Sequence, residues 1–218
     1  MIKISASILD VKITDLAYKM KQVEELVDSF HFDLADGCFV PNLSFGPRIL
    51  KDLREISKKS FEAHLMVLEP SKYFENLKGF AETVYFHLEA SSDIKADISR
   101  AREMGFRVGL AISTETDVSK ALEYLGDLNA VLVMLVRPGH GGQPMDESQL
   151  NKISELRSYI LKNNISCDIA ADGGIKYFNA EKVVRAGANL LVSGSGIFSD
   201  DPVEALLNFK RVLKAYDR

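Results

Sequence analysis

The chain has 218 residues, 46% hydrophobic and 27% charged, enough apolar material for a packed core beneath an ordinary polar surface. A net charge of −4 with both signs interspersed leaves no basic footprint for nucleic acid, and no apolar run approaches the roughly 18 residues of a membrane span. The opening MIKISASILD lacks the build of a signal peptide, and Cys38 and Cys167 are too few and too separated for a disulfide framework, so a reducing, cytoplasmic setting is expected.

In chain order, strand-like runs fall at 3–9 (KISASIL), 30–35 (FHFDLA), 61–67 (FEAHLMV), 83–90 (TVYFHLEA), 107–113 (RVGLAIS), 130–136 (AVLVMLV), 167–172 (CDIAAD) and 190–195 (LLVSGS). Between them lie segments such as LAYKMKQVEELVDS (16–29) and ESQLNKISELRSYILKNN (147–164), with apolar residues three and four apart, the helical period. The chain closes on DPVEALLNFKRVLKAY, where Asp201 can cap a helix and Pro202 suits its first turn. Strands alternating with helices argue for a parallel sheet covered by helices. Eight such units suit a closed (β/α)8 barrel, although typical examples run to about 250 residues. An open doubly wound sheet is the competing topology, but no G-x-G-x-x-G follows the first strand. With no Pro- or Ser-rich linker and no low-complexity stretch, one domain spanning 1–218 is expected.

Active sites of such barrels form at the C-terminal ends of the strands. Asp33 lies near the end of the second strand, His64 near the end of the third and Asp172 at the end of the seventh, with His31 one pleat below Asp33. Two imidazoles and two carboxylates would therefore face a common mouth, a donor set suited to one divalent ion such as Zn²⁺, Mn²⁺, Fe²⁺ or Co²⁺. A lone strand His is usually a hydrogen-bonded core residue, which is the preferred reading of His87; contact with the site through His87 or Glu89 is its alternative. Four such groups aimed at one point, with Asp rarely buried unpaired, fit a core role poorly. Asp36 reads as the cap of the turn at Gly37.

Glycines mark a second half of the site. DGGI (172–175) follows the seventh strand and SGSGIF (193–198) the eighth, the usual phosphate position in these barrels. The loop RPGHGGQPMDES (137–148) is long for its place and reads as a lid over the mouth.

These residues resemble the ribulose-phosphate 3-epimerase family over essentially the whole chain. The resemblance is carried by SIL (7–9), H-x-D-x-x-D-G with FVPN (31–42), HLMV (64–67), PGHGGQ (138–143), DGGI (172–175) and GSGIF (194–198). It implies a phosphate-binding (β/α)8 barrel with His31, Asp33, His64 and Asp172 as metal ligands, and Asp33 and Asp172 as an acid/base pair on opposite faces of the substrate. Ser7 and His64 would contact the sugar. Met66 and Met134 would form a polarizable cap, with plain core filling as the other reading. Gly139, His140, Gly141, Gly142, Gly173, Gly174, Gly194 and Ser195 would hold the phosphate.

The implied reaction inverts a carbon beside a ketone through an enediolate whose charge a metal stabilises. The substrate would be a ketose phosphate, D-ribulose 5-phosphate or a six-carbon relative such as D-allulose 6-phosphate, and the assembly a homo-oligomer. A decarboxylase or aldolase on a related barrel would need a lysine at the mouth, and a non-catalytic sugar-phosphate binder would have no use for two opposed carboxylates. The chain departs from the family pattern at Ala6, Ala35, Cys38, Arg137, His140, Ala170 and Ala171, none of them a ligand or base. Cys38 is expected to be a small buried neighbour of the site.

Overall fold

The computed structural model describes residues 1–216 and places its eight strands in one closed barrel, in chain order, with every neighbouring pair parallel. The strands are β1 (Lys3–Ser7), β2 (Ser29–Ala35), β3 (Ser60–Met66), β4 (Thr83–His87), β5 (Arg107–Ile112), β6 (Ala130–Met134), β7 (Asp168–Asp172) and β8 (Leu190–Ser193). Helices separate them: α1 (Leu16–Val23), α2 (Pro47–Ile56), α3 (Phe74–Leu77), α4 (Ile94–Glu103), α5 (Ser119–Leu122), α6 (Leu150–Lys162) and α7 (Tyr177–Ala186). A short α8 (Ser195–Phe198) follows β8, and α9 (Pro202–Leu213) ends the ring. The open-sheet alternative is excluded by the β1–β8 pairing, with Ile4 opposite Leu191 and Ala6 opposite Ser193.

Several strands stop short of their apolar runs. β1 ends at Ser7 rather than Leu9, β3 at Met66, β4 at His87, β6 at Met134 and β8 at Ser193. Hydrophobicity continues past each end because the loop residues still cover the barrel rim: Leu135 and Val136 remain buried beyond β6. The first helical pattern likewise breaks early, α1 ending at Val23 so that Leu26 and Val27 can turn the chain into β2. At the C-terminal helix, Asp201 accepts the N–H groups of Val203 (2.9 Å) and Glu204 (3.1 Å), and Pro202 occupies the first position.

Strand alternation sorts the side chains. On β2, Phe30, Phe32 and Leu34 face outward to the helices, where the Phe30 and Phe61 rings lie 5.7 Å apart. Ser29, His31 and Asp33 face into the barrel. The lumen is closed by buried Tyr85, Ala111, Ala130, Leu132, Met134, Ala170, Leu190 and Val192. Gly109 makes room for Tyr85: a Cβ there would run into the tyrosine ring.

Candidate active site

The β2–β3 register sets Asp33 beside His64 and His31 beside Glu62, so three of the four expected ligands stand on adjacent strands. Asp172 enters from β7, level with Met134 on β6. One donor atom from each of His31, Asp33, His64 and Asp172 falls within 4.8 Å of all the others. His64 Nδ1 lies 2.9 Å from Asp33 Oδ1 and 3.8 Å from Asp172 Oδ2. His31 Nε2 lies 3.5 Å from Asp33 Oδ1 and 3.9 Å from Asp172 Oδ2. Both imidazoles are fully buried, whereas the Asp172 side chain keeps 16% of its surface open to the mouth.

These residues fit a divalent ion. His31 Nε2 is buried without a hydrogen-bond partner, a cost that a cation would remove. Its other nitrogen, Nδ1, lies 3.4 Å from Glu62 Oε2. A carboxylate only accepts, so it holds the proton on Nδ1 and leaves Nε2 bare. Glu62 is itself fixed by the hydroxyls of Ser5 (2.9 Å) and Ser29 (2.8 Å). Two nitrogens and two carboxylate oxygens form a donor set suited to Zn²⁺ and its first-row neighbours.

The two carboxylates differ electrostatically. Burial penalises the charge of Asp33, but the adjoining His31 and His64 outweigh that penalty and hold its carboxyl well below the usual range. Burial dominates at Asp172, and with the nearby charges of Asp33 and Glu62 it pushes this carboxyl up to about 7 despite His31. One group stays ionised while the other sits poised to take or give a proton near neutrality.

Above this cluster lies a cavity lined by both carboxylates and by Ser7, Met66 and Met134. Its far side is formed by Gly139, His140, Gly141, Gly142, Gly173, Gly174, Gly194 and Ser195, so every expected phosphate residue borders the same space. Ser7 spends its hydroxyl on Asp33 Oδ2 at 2.8 Å. Gly174 has φ +66°, and a Cβ there would come 2.7 Å from the Gln143 carbonyl, so the backbones of the two loops meet only through glycine. The loop after β6 folds across the mouth, where Gln143 Nε2 donates to the carbonyls of Arg137 and His140, each at 2.8 Å, and Asn42 Nδ2 donates to that of Gly139 at 3.1 Å. Arg137 itself pairs with Glu115 at 3.1 Å on the surface.

Asp36 caps its turn as expected: Oδ1 accepts the N–H groups of Cys38 (2.8 Å) and Phe39 (2.9 Å), and Oδ2 that of Leu68 (2.9 Å). Cys38 corrects an expectation, because it is exposed. The Asp36 turn points the thiol outward and brings Phe39 over the site instead, 4.7 Å from the His87 ring. His87 is buried and hydrogen-bonded, and it also touches the site, with Nε2 2.9 Å from His64 Nε2.

Two contributors escaped the sequence reading. Glu62 shares a face with His64 by strand alternation, a signal that was available. Asp10, on the loop after β1, lines the cavity where a Cβ on Gly141 would overlap its carboxylate; nothing in its sequence context announces that contact.

Residues 3–198 match the ribulose-phosphate 3 epimerase family. The chain is 40% identical over 206 residues to a ribulose-phosphate 3-epimerase of Methanocaldococcus jannaschii, covering 94% of this chain and 87% of that protein. It is 37% identical over 213 residues to a chloroplastic ribulose-5-phosphate-3-epimerase of Arabidopsis thaliana, covering 95% and 75%. In fold it is similar to the crystal structure of KGPDC from Streptococcus mutans, with a TM-score of 0.74 at 15% identity over 100% of each chain. Coverage and identity to the named relatives, together with the closed barrel, place the chain in the ribulose-phosphate 3-epimerase family, an enzyme family of the isomerase class.

Proposed function

We propose that this protein interconverts D-ribulose 5-phosphate and D-xylulose 5-phosphate by inverting C3. The observation that carries the reading is the pair of carboxylates, Asp33 from β2 and Asp172 from β7, converging under one cavity with β8 and β1 between them. Inversion requires a proton to leave one face of C3 and another to arrive on the opposite face, which one base cannot easily serve. Asp33, ionised, would take the proton on its side, and Asp172 would supply one from the other; for the reverse reaction the roles exchange. Ser7 would keep Asp33 oriented through its hydroxyl. Met66 and Met134 would cover the reacting carbon and exclude water, and the glycines after β6, β7 and β8 would hold the phosphate.

His31, Asp33, His64 and Asp172 would hold one divalent ion, with Zn, Fe, Mn and Co all compatible with the donors. Such an ion would supply positive charge that offsets the negative charge developing as C3 loses its proton. Among the described residues no lysine lines the cavity, which disfavours the decarboxylase and aldolase chemistry that would require one. The reading also includes one 1–218 domain, a homo-oligomeric assembly and a cytoplasmic setting. Among the described residues no helix is long and apolar enough to cross a membrane.

The test is an epimerisation assay in deuterated water, with protein stripped of metal and reloaded with single ions. D-ribulose 5-phosphate should epimerise with deuterium entering at C3, only after reloading, and faster than D-allulose 6-phosphate. Preference for the six-carbon sugar would reassign the substrate. Binding of both sugars without exchange would make the protein a non-catalytic binder.

A further inference from the structure

To join a cation site with His31, Asp33 and Asp172, His64 must present a bare Nδ1, so its proton must sit on Nε2. That nitrogen lies 2.9 Å from Nε2 of His87, and both rings are fully buried. A proton on His64 Nε2 requires a lone pair on His87 Nε2, which places the His87 proton on Nδ1. His87 Nδ1 faces two groups, Oε2 of Glu89 at 3.3 Å and Oγ of Ser113 at 3.2 Å. The hydroxyl can donate or accept, so it favours neither order. The carboxylate only accepts, and it favours the one in which every proton points away from the cation site. Against it stands Asp33 Oδ1, which lies 2.9 Å from His64 Nδ1 and favours the reverse until a cation takes that nitrogen.

Glu89 is fixed in that role from behind. Its Oε1 accepts the Ser113 N–H at 2.9 Å and the Thr116 hydroxyl. Lys152 on α6 pins the same loop, donating to the carbonyls of Ser113 (3.0 Å) and Thr114 (2.8 Å). The reverse order would turn a bare His87 Nδ1 toward the carboxylate and a proton on His64 Nδ1 toward Asp33, closing the nitrogen a cation needs.

We infer that His87 and Glu89 are positioning residues that hold the metal-competent tautomer of His64, and that this pair, touching neither substrate nor ion, sets the affinity of the site. The inference rests on the divalent-ion reading above. Partners of this kind typically govern metal affinity by about 10–100-fold. If His87 only filled space, any side chain of similar size would serve.

Glu89→Gln separates the two roles. The Ser113 N–H cannot turn, so the amide oxygen must face it, which aims the amide NH2 at His87 Nδ1. That donor drives the His87 proton to Nε2 and the His64 proton to Nδ1. Stripped proteins titrated with Zn²⁺ or Co²⁺ against a chromophoric chelator should show Glu89→Gln about 10–100-fold weaker than wild type, with thermal unfolding of the stripped forms little changed. His87→Gln, whose oxygen can accept from His64 while its NH2 donates to Glu89, should stay within several-fold of wild type; His87→Leu should fall as far as Glu89→Gln. In the zinc-loaded wild type, ¹⁵N shifts should report a protonated Nδ1 and a bare Nε2 on His87.

Wild-type affinity in Glu89→Gln, equal losses in His87→Gln and His87→Leu, or the opposite tautomer overturns this inference alone. A wild-type protein that takes up no cation overturns it together with the reading it rests on. Should Glu89→Gln fail to fold, the contrast between the two His87 variants decides.

Discussion

From β1 to β4 the inward positions carry Ser5, Ser7, Ser29, His31, Asp33, Glu62, His64 and His87, all buried, with Met66 and Tyr85 among them. From β5 to β8 they carry Gly109, Ala111, Leu132, Met134, Ala170 and Val192, and Asp172 stands nearly alone among them. The first wall is a connected polar network in which Ser5 and Ser29 donate to Glu62 and Ser7 donates to Asp33 Oδ2, which is what makes its burial tolerable. The second wall offers Asp172 apolar neighbours, and the imidazoles of His31 and His64 face it across the lumen. One residue type thus acquires two protonation habits from its wall, Asp33 held low and Asp172 raised to about 7. The two-base reaction proposed above would use that difference.

The largest expected effect comes from removing either base. Asp33→Asn and Asp172→Asn each keep the size of the side chain and one ligating oxygen, so metal should still load. Turnover should fall by about 10²–10⁴-fold in each. Each variant should still exchange the C3 proton with solvent deuterium from one epimer, and the two should differ in which epimer that is. Exchange from both epimers by both variants would break the assignment of one base to each wall.

A next effect separates the walls by metal. His31→Ala or His64→Ala should prevent stoichiometric loading, because each removes a buried donor that no neighbour can replace. Met134→Leu, a volume-conserving change on the apolar wall, should load normally and cost less than about 1.5 kcal/mol of stability. Equal loading in all three, measured by metal analysis after gel filtration, would sink the ligand assignment.

The pH dependence of loading is gentler and its sign follows from the metal-free site. Burial alone would lower the pKa of His31, but Asp33, Glu62 and Asp172 raise it well above the ordinary imidazole value, so a second proton, on Nε2, competes with a cation. Asp172, near 7, is partly protonated there. A cation needs the imidazole neutral and the carboxylate ionised, so loading releases protons and affinity rises with pH through about 6 to 8. Calorimetry in buffers of different ionisation heat reads the released protons directly. Affinity that is flat in pH, or that falls, would show that the polar wall does not hold its protons as drawn.

The convergence of His31, Asp33, His64 and Asp172 was legible because strand alternation and the strand-end rule act locally: His31 and Asp33 are two apart, and Asp172 precedes a glycine pair at a strand end. The barrel was legible for the same reason, since each βα unit repeats the pattern. Glu62 was passed over because a glutamate in a strand is usually a solvent-facing residue, although its spacing of two from His64 puts it on the same inward face, and only the register shows that it stands beside His31. His87 was half visible: burial follows from its run, but a bond to His64 depends on β3–β4 geometry that no local pattern encodes. Cys38 went the other way because the direction of one side chain in a turn is set by the Asp36 cap, not by its apolar neighbours.

The smallest expected effect tests whether the two walls are independent at their seam. Gly109 on β5 pairs with Tyr85 on β4, and the Tyr85 ring lies across it, 6.0 Å from the ring of His31. In Gly109→Ala the new methyl meets a ring that is 1% exposed and has no open space to enter. Overpacking of this kind typically costs about 1–3 kcal/mol, which for a chain of this length lowers the melting temperature by about 2–4 °C per kcal/mol. Glu62, held by two serine hydroxyls, fixes His31 through Nδ1, so the imidazole should keep its place. The variant should therefore melt earlier yet bind metal with wild-type affinity. If affinity falls in step with stability, the strain has passed through Tyr85 to His31, and the lumen must be treated as one packed unit rather than two walls.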